Sequence, residues 1–326
     1  MADFPRARLH VVSGKGGTGK TTVAAALALA LASGGKKVLL AEVEGRQGIA
    51  QLFDTAPLPY EERKIAVAPN GGDVYALAID PEQALLDYLH MFYRLSPTGI
   101  PARTLRRIGA IDFATTIAPG LKDVLLTGKV KEAVVRQTGG KPAYDAVVVD
   151  APPTGRVPRF LNISHEIGSL AKVGPLKSQS DGVMALFKSP QTVVHLVTLL
   201  EEMPVQETID AVTELTALGL PVGGVIVNAV RSPALAPADL LAAERGQLDL
   251  VALSRGLVSV GLDVALAPVL AEEAGEHAAR VALEERGRDT LADLHKPSYE
   301  LPLLADTVDL GGLYELAGML HEQGLA

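Results

Sequence analysis

The chain has 326 residues, 48% of them hydrophobic, and carries 30 lysine and arginine residues against 38 aspartate and glutamate residues, a formal net charge of −8. A nucleic-acid partner is not expected, since proteins that bind nucleic acids usually present a basic face. Cysteine is absent, which excludes disulfides, thiol catalysis, iron–sulfur clusters and cysteine-type zinc sites. The N-terminus lacks the apolar core of a signal peptide, and the longest apolar run, Val23–Ala32, is shorter than the roughly 20 residues of a membrane helix, so we expect a cytoplasmic protein.

The first predicted element is a strand that leads into a glycine-rich loop. Leu9–Val12 is predicted to be a short buried strand, and Thr21–Ala32 a helix that ends at Gly34 and Gly35. Glycines at such a turn let successive backbone N–H groups converge on phosphate oxygens, and the helix N-terminus adds its partial positive charge. The alternative is a tight turn with two solvated lysines, but motif, strand and helix together favour a nucleotide site. Its predicted residues are Gly14, Gly16, Gly17, Thr18, Gly19, Lys20, Thr21 and Thr22.

Two lysines flank these glycines. Lys20 is expected to contact the β- and γ-phosphates and to take part in catalysis, and the Thr21 hydroxyl is expected to bind Mg²⁺. One lysine is enough to hold the phosphates. Lys15, in front of the glycines, therefore indicates a further task.

Further along the chain, apolar strands alternate with helical stretches. Strands separated by helices predict an α/β fold with a doubly wound, mostly parallel sheet, and ligands in such sheets bind at the carboxyl ends of the strands. The polar residues at those ends are therefore the candidates for a site. The predicted strands are Lys37–Val43, Val74–Ile79, Ala146–Val149, Val193–Thr198, Val222–Val227 and Tyr299–Leu303.

Carboxylates follow two of these strands. Asp150 is expected to hold Mg²⁺ through a water molecule, with helix capping as the alternative, and Pro153 and Gly155 in the turn after it are expected to respond to the γ-phosphate. Glu42 and Glu44 bracket the end of the second strand, and Glu42 is predicted to be a switch residue together with Pro153, Gly155 and Arg156. A carboxylate there could orient the water that attacks the γ-phosphate, and Glu44 is the candidate. An exposed turn with charged residues is the alternative.

Asn228 comes after the strand Val222–Val227. Its amide offers a donor and an acceptor side by side and could pair with the adenine edge, whereas a turn asparagine is the alternative. The whole chain, 1–326, is interpreted as one domain with helical insertions at about 81–141 and 159–190. A long acidic helix is predicted at Pro268–Leu294.

With both lysines placed, the sequence resembles the deviant-Walker ATPases, since GKGGTGKTT matches their KGGxGK[ST] motif. It is most similar to the arsenite-pump and tail-anchored-protein-targeting type, the ArsA/GET type. VVVDAPPTGRVPRFL is similar to the second switch of that family, GGVIVN to its adenine strand and ELPLL to its adenine-covering loop, which implies that Pro302 and Leu303 contact the nucleotide. The resemblance runs from Arg8 to about Leu320 and implies a P-loop NTPase fold of the SIMIBI type.

The resemblance also implies a function. In this family two protomers face each other with ATP between them, and the lysine at the position of Lys15 reaches the partner's phosphates. It implies a Mg²⁺-dependent ATPase whose dimer opens and closes to engage a client or a membrane partner protein, as a homodimer or as a heterodimer with a related chain. The alternative is a regulatory subunit that holds nucleotide with little turnover in such a heterodimer. Two switch residues depart from the family pattern, with Glu44 in place of aspartate and Arg156 in place of histidine, and the missing cysteines predict no zinc.

Overall fold

The computed structural model describes residues 3–93, 119–162, 175–305 and 308–326. The strands are β1 Leu9–Gly14, β2 Lys37–Glu42, β3 Arg63–Val67, β4 Asp73–Ala78, β5 Gln137–Thr138, β6 Lys141–Pro142, β7 Ala146–Asp150, β8 Thr192–Thr198, β9 Val222–Val230 and β10 Ser298–Pro302. The helices are α1 Lys20–Ala32, α2 Gly48–Leu52, α3 Pro81–Tyr93, α4 Pro119–Val135, α5 Val157–Leu161, α6 Pro175–Phe187, α7 Glu202–Ala217, α8 Pro237–Glu244, α9 Leu250–Ser259, α10 Ala267–Ala292 and α11 Leu310–Glu322.

Eight strands form one twisted sheet in the order β10-β9-β8-β1-β7-β2-β4-β3. Every neighbouring pair is parallel except β3 with β4, which is antiparallel. The doubly wound, mostly parallel fold class is therefore confirmed. The edge strand β3 was not predicted, because its residues are largely exposed and lack the apolar run that marks the central strands.

The central strands are short apolar runs because helices cover both of their faces. On one face, α1 is buried around its whole circumference and packs with α11 against alternate residues of β1, β2 and β7. A helix that is apolar all round is typical of such a position. On the other face, α3, α4, α6 and α7 form the second layer. The hydrophobic core therefore consists of two layers of side chains, one on each face of the β-sheet.

The register of the central strands brings the predicted site residues to one edge. Val12, two residues before the end of β1, pairs with Asp150 at the end of β7, and Asp150 also pairs with Glu42 at the end of β2. The loop after β1, the carboxylate after β7 and the turn after β2 therefore leave the sheet side by side, as the parallel arrangement requires.

The parts of the two predicted insertions that the structure describes are mainly helical, as α3, α4 and α6. Residues 94–118 and 163–174 of these insertions lie outside the described residues. The segment 81–141 also contributes β5 to a two-stranded antiparallel hairpin with β6, which was not predicted. Within the described residues, no helix is both long enough and apolar enough to span a membrane.

A helical projection, residues 237–292, follows the last residues of β9. It consists of α8, α9, a short 3₁₀ turn and α10. The helix predicted at Pro268–Leu294 is confirmed, with bounds Ala267–Ala292, whereas α8 and α9 were not predicted. Eleven large apolar side chains of the projection are exposed: Leu241, Leu250, Val251, Val258, Val260, Leu262, Val264, Leu266, Val269, Leu270 and Leu283.

Candidate nucleotide site

The glycine-rich loop connects β1 to α1, as predicted, and two of its glycines are dictated by close contacts. A Cβ atom on Gly14 would lie 2.1 Å from the carbonyl oxygen of Val197 in β8, closer than any real contact. Gly19 has φ +84°, a conformation that L side chains rarely adopt, and its Cβ atom would lie 2.3 Å from Nδ2 of Asn228. Gly16 and Gly17 are exposed at the outer part of the loop. The loop backbone is thus held against β8 and β9 in a fixed shape.

Lys20, the first residue of α1, points back into the loop. Its Nζ donates to the carbonyl oxygen of Lys15 at 3.1 Å, and the hydroxyl of Thr18 donates to the same oxygen at 2.9 Å. Burial lowers the pKa of Lys20, and the nearby carboxylate of Asp150 opposes that change. A desolvated ammonium group at the centre of a loop of backbone N–H groups is suited to bind phosphate oxygens.

Thr21 and Asp150 form a pair at the start of α1. The Thr21 hydroxyl donates to Oδ2 of Asp150 at 2.7 Å. Burial raises the pKa of Asp150 to about 6, although the Thr21 hydrogen bond and Lys20 both lower it. The carboxylate is therefore mostly ionised at neutral pH. A hydroxyl and a carboxylate oxygen beside a phosphate loop are the ligands that Mg²⁺ prefers, so the pair fits this cation. Thr22 lies half-buried in the same helical turn.

Lys15 lies at the mouth of the loop and contacts a helix of its own chain. Its Nζ lies 2.9 Å from Oε1 of Glu207 in α7. The other carboxylate oxygen of Glu207 accepts a hydrogen bond of 3.0 Å from the hydroxyl of Thr154. Lys15 and Lys20 thus have different surroundings, one at a carboxylate outside the loop and the other at a carbonyl within it.

The two carboxylates after β2 differ in their contacts. Glu42 is buried and accepts hydrogen bonds from the backbone N–H groups of Gln47 and Ile49, at 2.5 and 3.3 Å, so it fixes the start of α2. Glu44 lies 3.3 Å from Arg46 and 3.3 Å from Arg156. Glu44 is thus the carboxylate that contacts Arg156 in the turn after Asp150, whereas Glu42 holds the start of α2. The switch role of Glu42 remains a prediction.

The turn after Asp150 is attached to the glycine loop. Thr154 N–H donates to the carbonyl of Gly14 at 3.1 Å, and the hydroxyl of Ser13 donates to the carbonyl of Pro152 at 2.6 Å. The carbonyl oxygen of Pro153 accepts hydrogen bonds from the N–H groups of Arg156 and Val157 at the start of α5. A Cβ atom on Gly155 would have no neighbour within 4 Å. Arg156 joins this turn to Glu44. The predicted switch residues therefore lie between the loop and the turn after β2.

The predicted adenine residues lie at the ends of β9 and β10. Asn228 is inside β9, which continues to Val230, so the predicted end of this strand was wrong. Its Nδ2 donates to the carbonyl of Thr18 at 2.9 Å, which leaves the amide oxygen for another donor. Pro302 pairs with Val230 across the two strands, and the exposed Leu303 donates its N–H to Val230 at 2.8 Å. An adenine contact by these three residues remains a prediction.

Two buried histidines lie beneath the loop, on β1 and β8. The rings of His10 and His195 are nearly parallel, with an interplanar angle of 17° and centroids 5.4 Å apart, and Nδ1 of His10 lies 3.2 Å from Nε2 of His195. The N–H of Gly224 donates to Nδ1 of His195, so the Nε2 proton of His195 donates to His10. Burial lowers the pKa of both rings, that of His10 to about 4. Among the described residues no group of three or more histidine, cysteine, aspartate or glutamate side chains could hold a metal ion, and the absence of zinc remains a prediction.

Glu207 and the histidine pair are the parts of this region that sequence reasoning missed. Glu207 lies in a segment that reads as an ordinary amphipathic helix, and the histidines are separated by 185 residues. No spacing in the sequence signals either contact, because each depends on which strands and helices become neighbours.

Comparisons with known proteins give the same reading as the geometry. Residues 7–190 match the sequence model of a family described as anion-transporting ATPase. The chain is 56% identical over 322 residues to ATPase BagA of Mycobacterium tuberculosis, covering 98% of this chain and 94% of that protein. It is 28% identical over 273 residues to the arsenical pump-driving ATPase of Acidiphilium multivorum, covering 78% of this chain and 45% of that protein. It is also 28% identical over 249 residues to ATPase GET3 of Kluyveromyces lactis, covering 67% and 70% of the two chains.

Proposed function

The chain belongs to the anion-transporting ATPase family and is an ATP hydrolase, and we propose that ATP drives its dimer between open and closed shapes that engage a protein partner. The observation that carries this proposal is the separation of the two lysines. Lys20 lies inside the phosphate loop, and Lys15 lies at its mouth, paired with Glu207. Lys20 alone serves the phosphates of its own protomer, so Lys15 is available to those of a partner.

The residues of the loop then have distinct tasks. The loop amides and Lys20 bind the β- and γ-phosphates, and Thr21 and Asp150 hold Mg²⁺, which neutralises phosphate charge when bound. Asn228, Pro302 and Leu303 enclose the base. Glu44 orients the attacking water and acts as its general base. Arg156 connects Glu44 to the turn at Pro153 and Gly155, so that nucleotide state at the γ-phosphate changes the position of this turn.

The other subunit of the dimer is a second copy of this chain or a related chain. No zinc is needed to hold the two subunits together. Relatives of the chain include an arsenical pump-driving ATPase and ATPase GET3. We propose that this chain likewise serves a transport or targeting process, through a client or a membrane partner protein.

A second candidate function is a nucleotide-holding regulatory subunit with slow turnover, as one half of a heterodimer. The observation that favours it is the position of Glu44 between two guanidinium groups, each 3.3 Å away. Arg46 and Arg156 compete with a water molecule for the oxygens of Glu44. Steady-state ATP hydrolysis by the purified chain, alone and with a related chain, separates the two candidates.

The experiment that tests the leading proposal compares two lysine variants. Lys15→Ala is expected to bind ATP but to lose ATP-dependent dimerisation and hydrolysis, while Lys20→Ala loses the charge paired with the phosphates and is expected to bind ATP at least about tenfold more weakly. Calorimetry measures ATP affinity, and light scattering measures the dimer. If Lys15→Ala hydrolyses ATP like the parent protein, Lys15 is only a solvated loop residue.

A further inference from the structure

One carboxylate links the glycine loop to the turn after Asp150. Oε1 of Glu207 lies 2.9 Å from Nζ of Lys15, and Oε2 accepts from the Thr154 hydroxyl at 3.0 Å. Thr154 is buried and also donates its N–H to the carbonyl of Gly14. Glu207 itself is on α7, outside both loops. A single side chain of α7 therefore sets the position of Lys15 and of the turn at the same time.

The Lys15–Glu207 pair is strong enough to form and weak enough to exchange. The hydrogen bond from Lys15 lowers the pKa of Glu207, so the carboxylate is ionised at neutral pH. The two side chains are 28% and 35% exposed, and ion pairs in contact with solvent contribute little to stability. A triphosphate offers a lysine more negative charge than one carboxylate does, in charge-assisted hydrogen bonds of greater strength. The ammonium group is thus free to change from one anion to the other.

We propose that Glu207 is a positioning residue that holds Lys15 within its own protomer and releases it to the phosphates of the partner when ATP closes the dimer. This inference rests on the proposed function, since it needs Lys15 to act across the dimer. In this proposal Glu207 competes with the phosphates for Lys15, and this competition sets the ATP concentration at which the dimer closes.

The second contact of Glu207 carries the release to the switch. When Lys15 leaves, the carboxylate keeps only the hydroxyl of Thr154, in the turn that follows Asp150. That turn connects to Glu44 through Arg156. The departure of Lys15 therefore changes the contacts of the residues that surround the γ-phosphate, and it does so through side chains of one protomer.

Glu207→Gln tests the inference, because glutamine keeps the size of the side chain and an acceptor for Thr154 but lacks the charge that holds Lys15. The ATP concentration at half-maximal dimerisation and hydrolysis is expected to fall on the order of two- to fivefold, the range of an exposed ion pair. The maximal hydrolysis rate and the melting temperature are expected to stay unchanged. Glu214→Gln is the matched control, with the same charge change on an exposed residue of the same helix.

Glu207→Asp provides a second test that keeps the charge. One methylene group shorter, aspartate cannot reach both Lys15 and Thr154, so the half-maximal ATP concentration is again expected to fall. The inference is overturned if neither variant changes that concentration. It is also overturned if the maximal rate falls while the concentration stays the same, since Glu207 would then act in the chemical step.

Lys15→Ala in the same assays separates this inference from the proposed function. An active Lys15→Ala variant refutes the role of Lys15 across the dimer, and with it the proposed function. An inactive Lys15→Ala variant beside a Glu207→Gln variant that behaves like the parent protein leaves the proposed function intact and refutes only the role of Glu207.

Discussion

The nucleotide edge of the sheet and the helical projection at 237–292 distribute polarity in opposite ways. At the edge, Lys20, Glu42, Asp150 and Thr154 are buried, and each has a hydrogen-bond partner. In the projection, eleven large apolar side chains are exposed. Buried polar groups cost free energy unless they are paired, and exposed apolar groups cluster where a surface interacts. Substitutions at the edge are therefore expected to change the rate of ATP hydrolysis, whereas substitutions in the projection are expected to leave it unchanged.

The largest effect is expected from Glu44→Gln at the edge. Glutamine keeps the size and hydrogen bonding of the side chain but cannot accept the proton of the attacking water. General-base roles contribute about 10²–10⁴-fold to rate, so single-turnover hydrolysis should fall by that factor while ATP affinity stays the same. The variant is expected to accumulate as the closed, ATP-bound dimer.

Glu44→Asp, which restores the residue usual in the family, is the companion variant and is expected to keep measurable hydrolysis. Dimer mass should be recorded in the same samples. If glutamine supports hydrolysis at the rate of glutamate, Glu44 is not the base, and the regulatory function gains support.

A second effect, on stability, is expected from the histidine pair beneath the edge. The folded-state pKa of each ring lies below its unfolded value of about 6.5. The two histidine rings thus contribute fully to stability above a pH of about 6.5, the unfolded-state pKa. This contribution is lost as the pH falls toward about 4, the folded-state pKa of His10. The free energy of unfolding should decrease by roughly 1.4 kcal/mol per pH unit for each ring across that interval.

Urea unfolding at pH 7, 6 and 5 measures this slope, and His10→Gln is expected to make it shallower by about one proton. His321→Gln, at an exposed position of α11, is the control. Hydrogen exchange at the same pH values sharpens the regional comparison, since protection should be lost in β1 and β8 before it changes in α9. Equal slopes for His10→Gln and the parent protein would contradict the assignment.

The smallest effect is expected in the projection. Replacing Val258, Val260 and Leu262 with serine together should change the free energy of unfolding by no more than about 0.5 kcal/mol per site, because the three side chains are 62%, 68% and 52% exposed. ATP hydrolysis should stay unchanged, and binding of a hydrophobic dye should decrease.

Leu40→Ala, at a fully buried position of β2, is the reference and should cost about 2–5 kcal/mol by itself. Denaturant unfolding of both variants makes the comparison. A triple serine variant as unstable as Leu40→Ala would show that the exposed side chains belong to the packing of the domain.

Local patterns explain which parts of the molecule could be predicted. The positions of the glycine loop, Lys20, Thr21 and Asp150 in the fold could be predicted because strands, turns and helices that follow one another in sequence each have their own signal. The edge strand β3 and the helices α8 and α9 were missed because exposed elements lack the burial pattern on which such predictions depend. The pairing of Lys15 with Glu207 could not be predicted, since it requires α7 to pack beside the loop.

The edge strand β3 has a consequence for the solubility of the folded sheet. Its reversed direction ends a series of parallel strands, and it carries two exposed cations, Arg63 and Lys64. The register shifts between Lys64 and Ala66, Lys64 forms an ion pair with Asp73 at 2.6 Å, and Tyr314 donates to the carbonyl of Val67. Edge charges and irregular pairing prevent a strand of another molecule from extending a sheet. Addition of a strand from another molecule at β3, the step by which a sheet grows into a fibre, is thereby disfavoured.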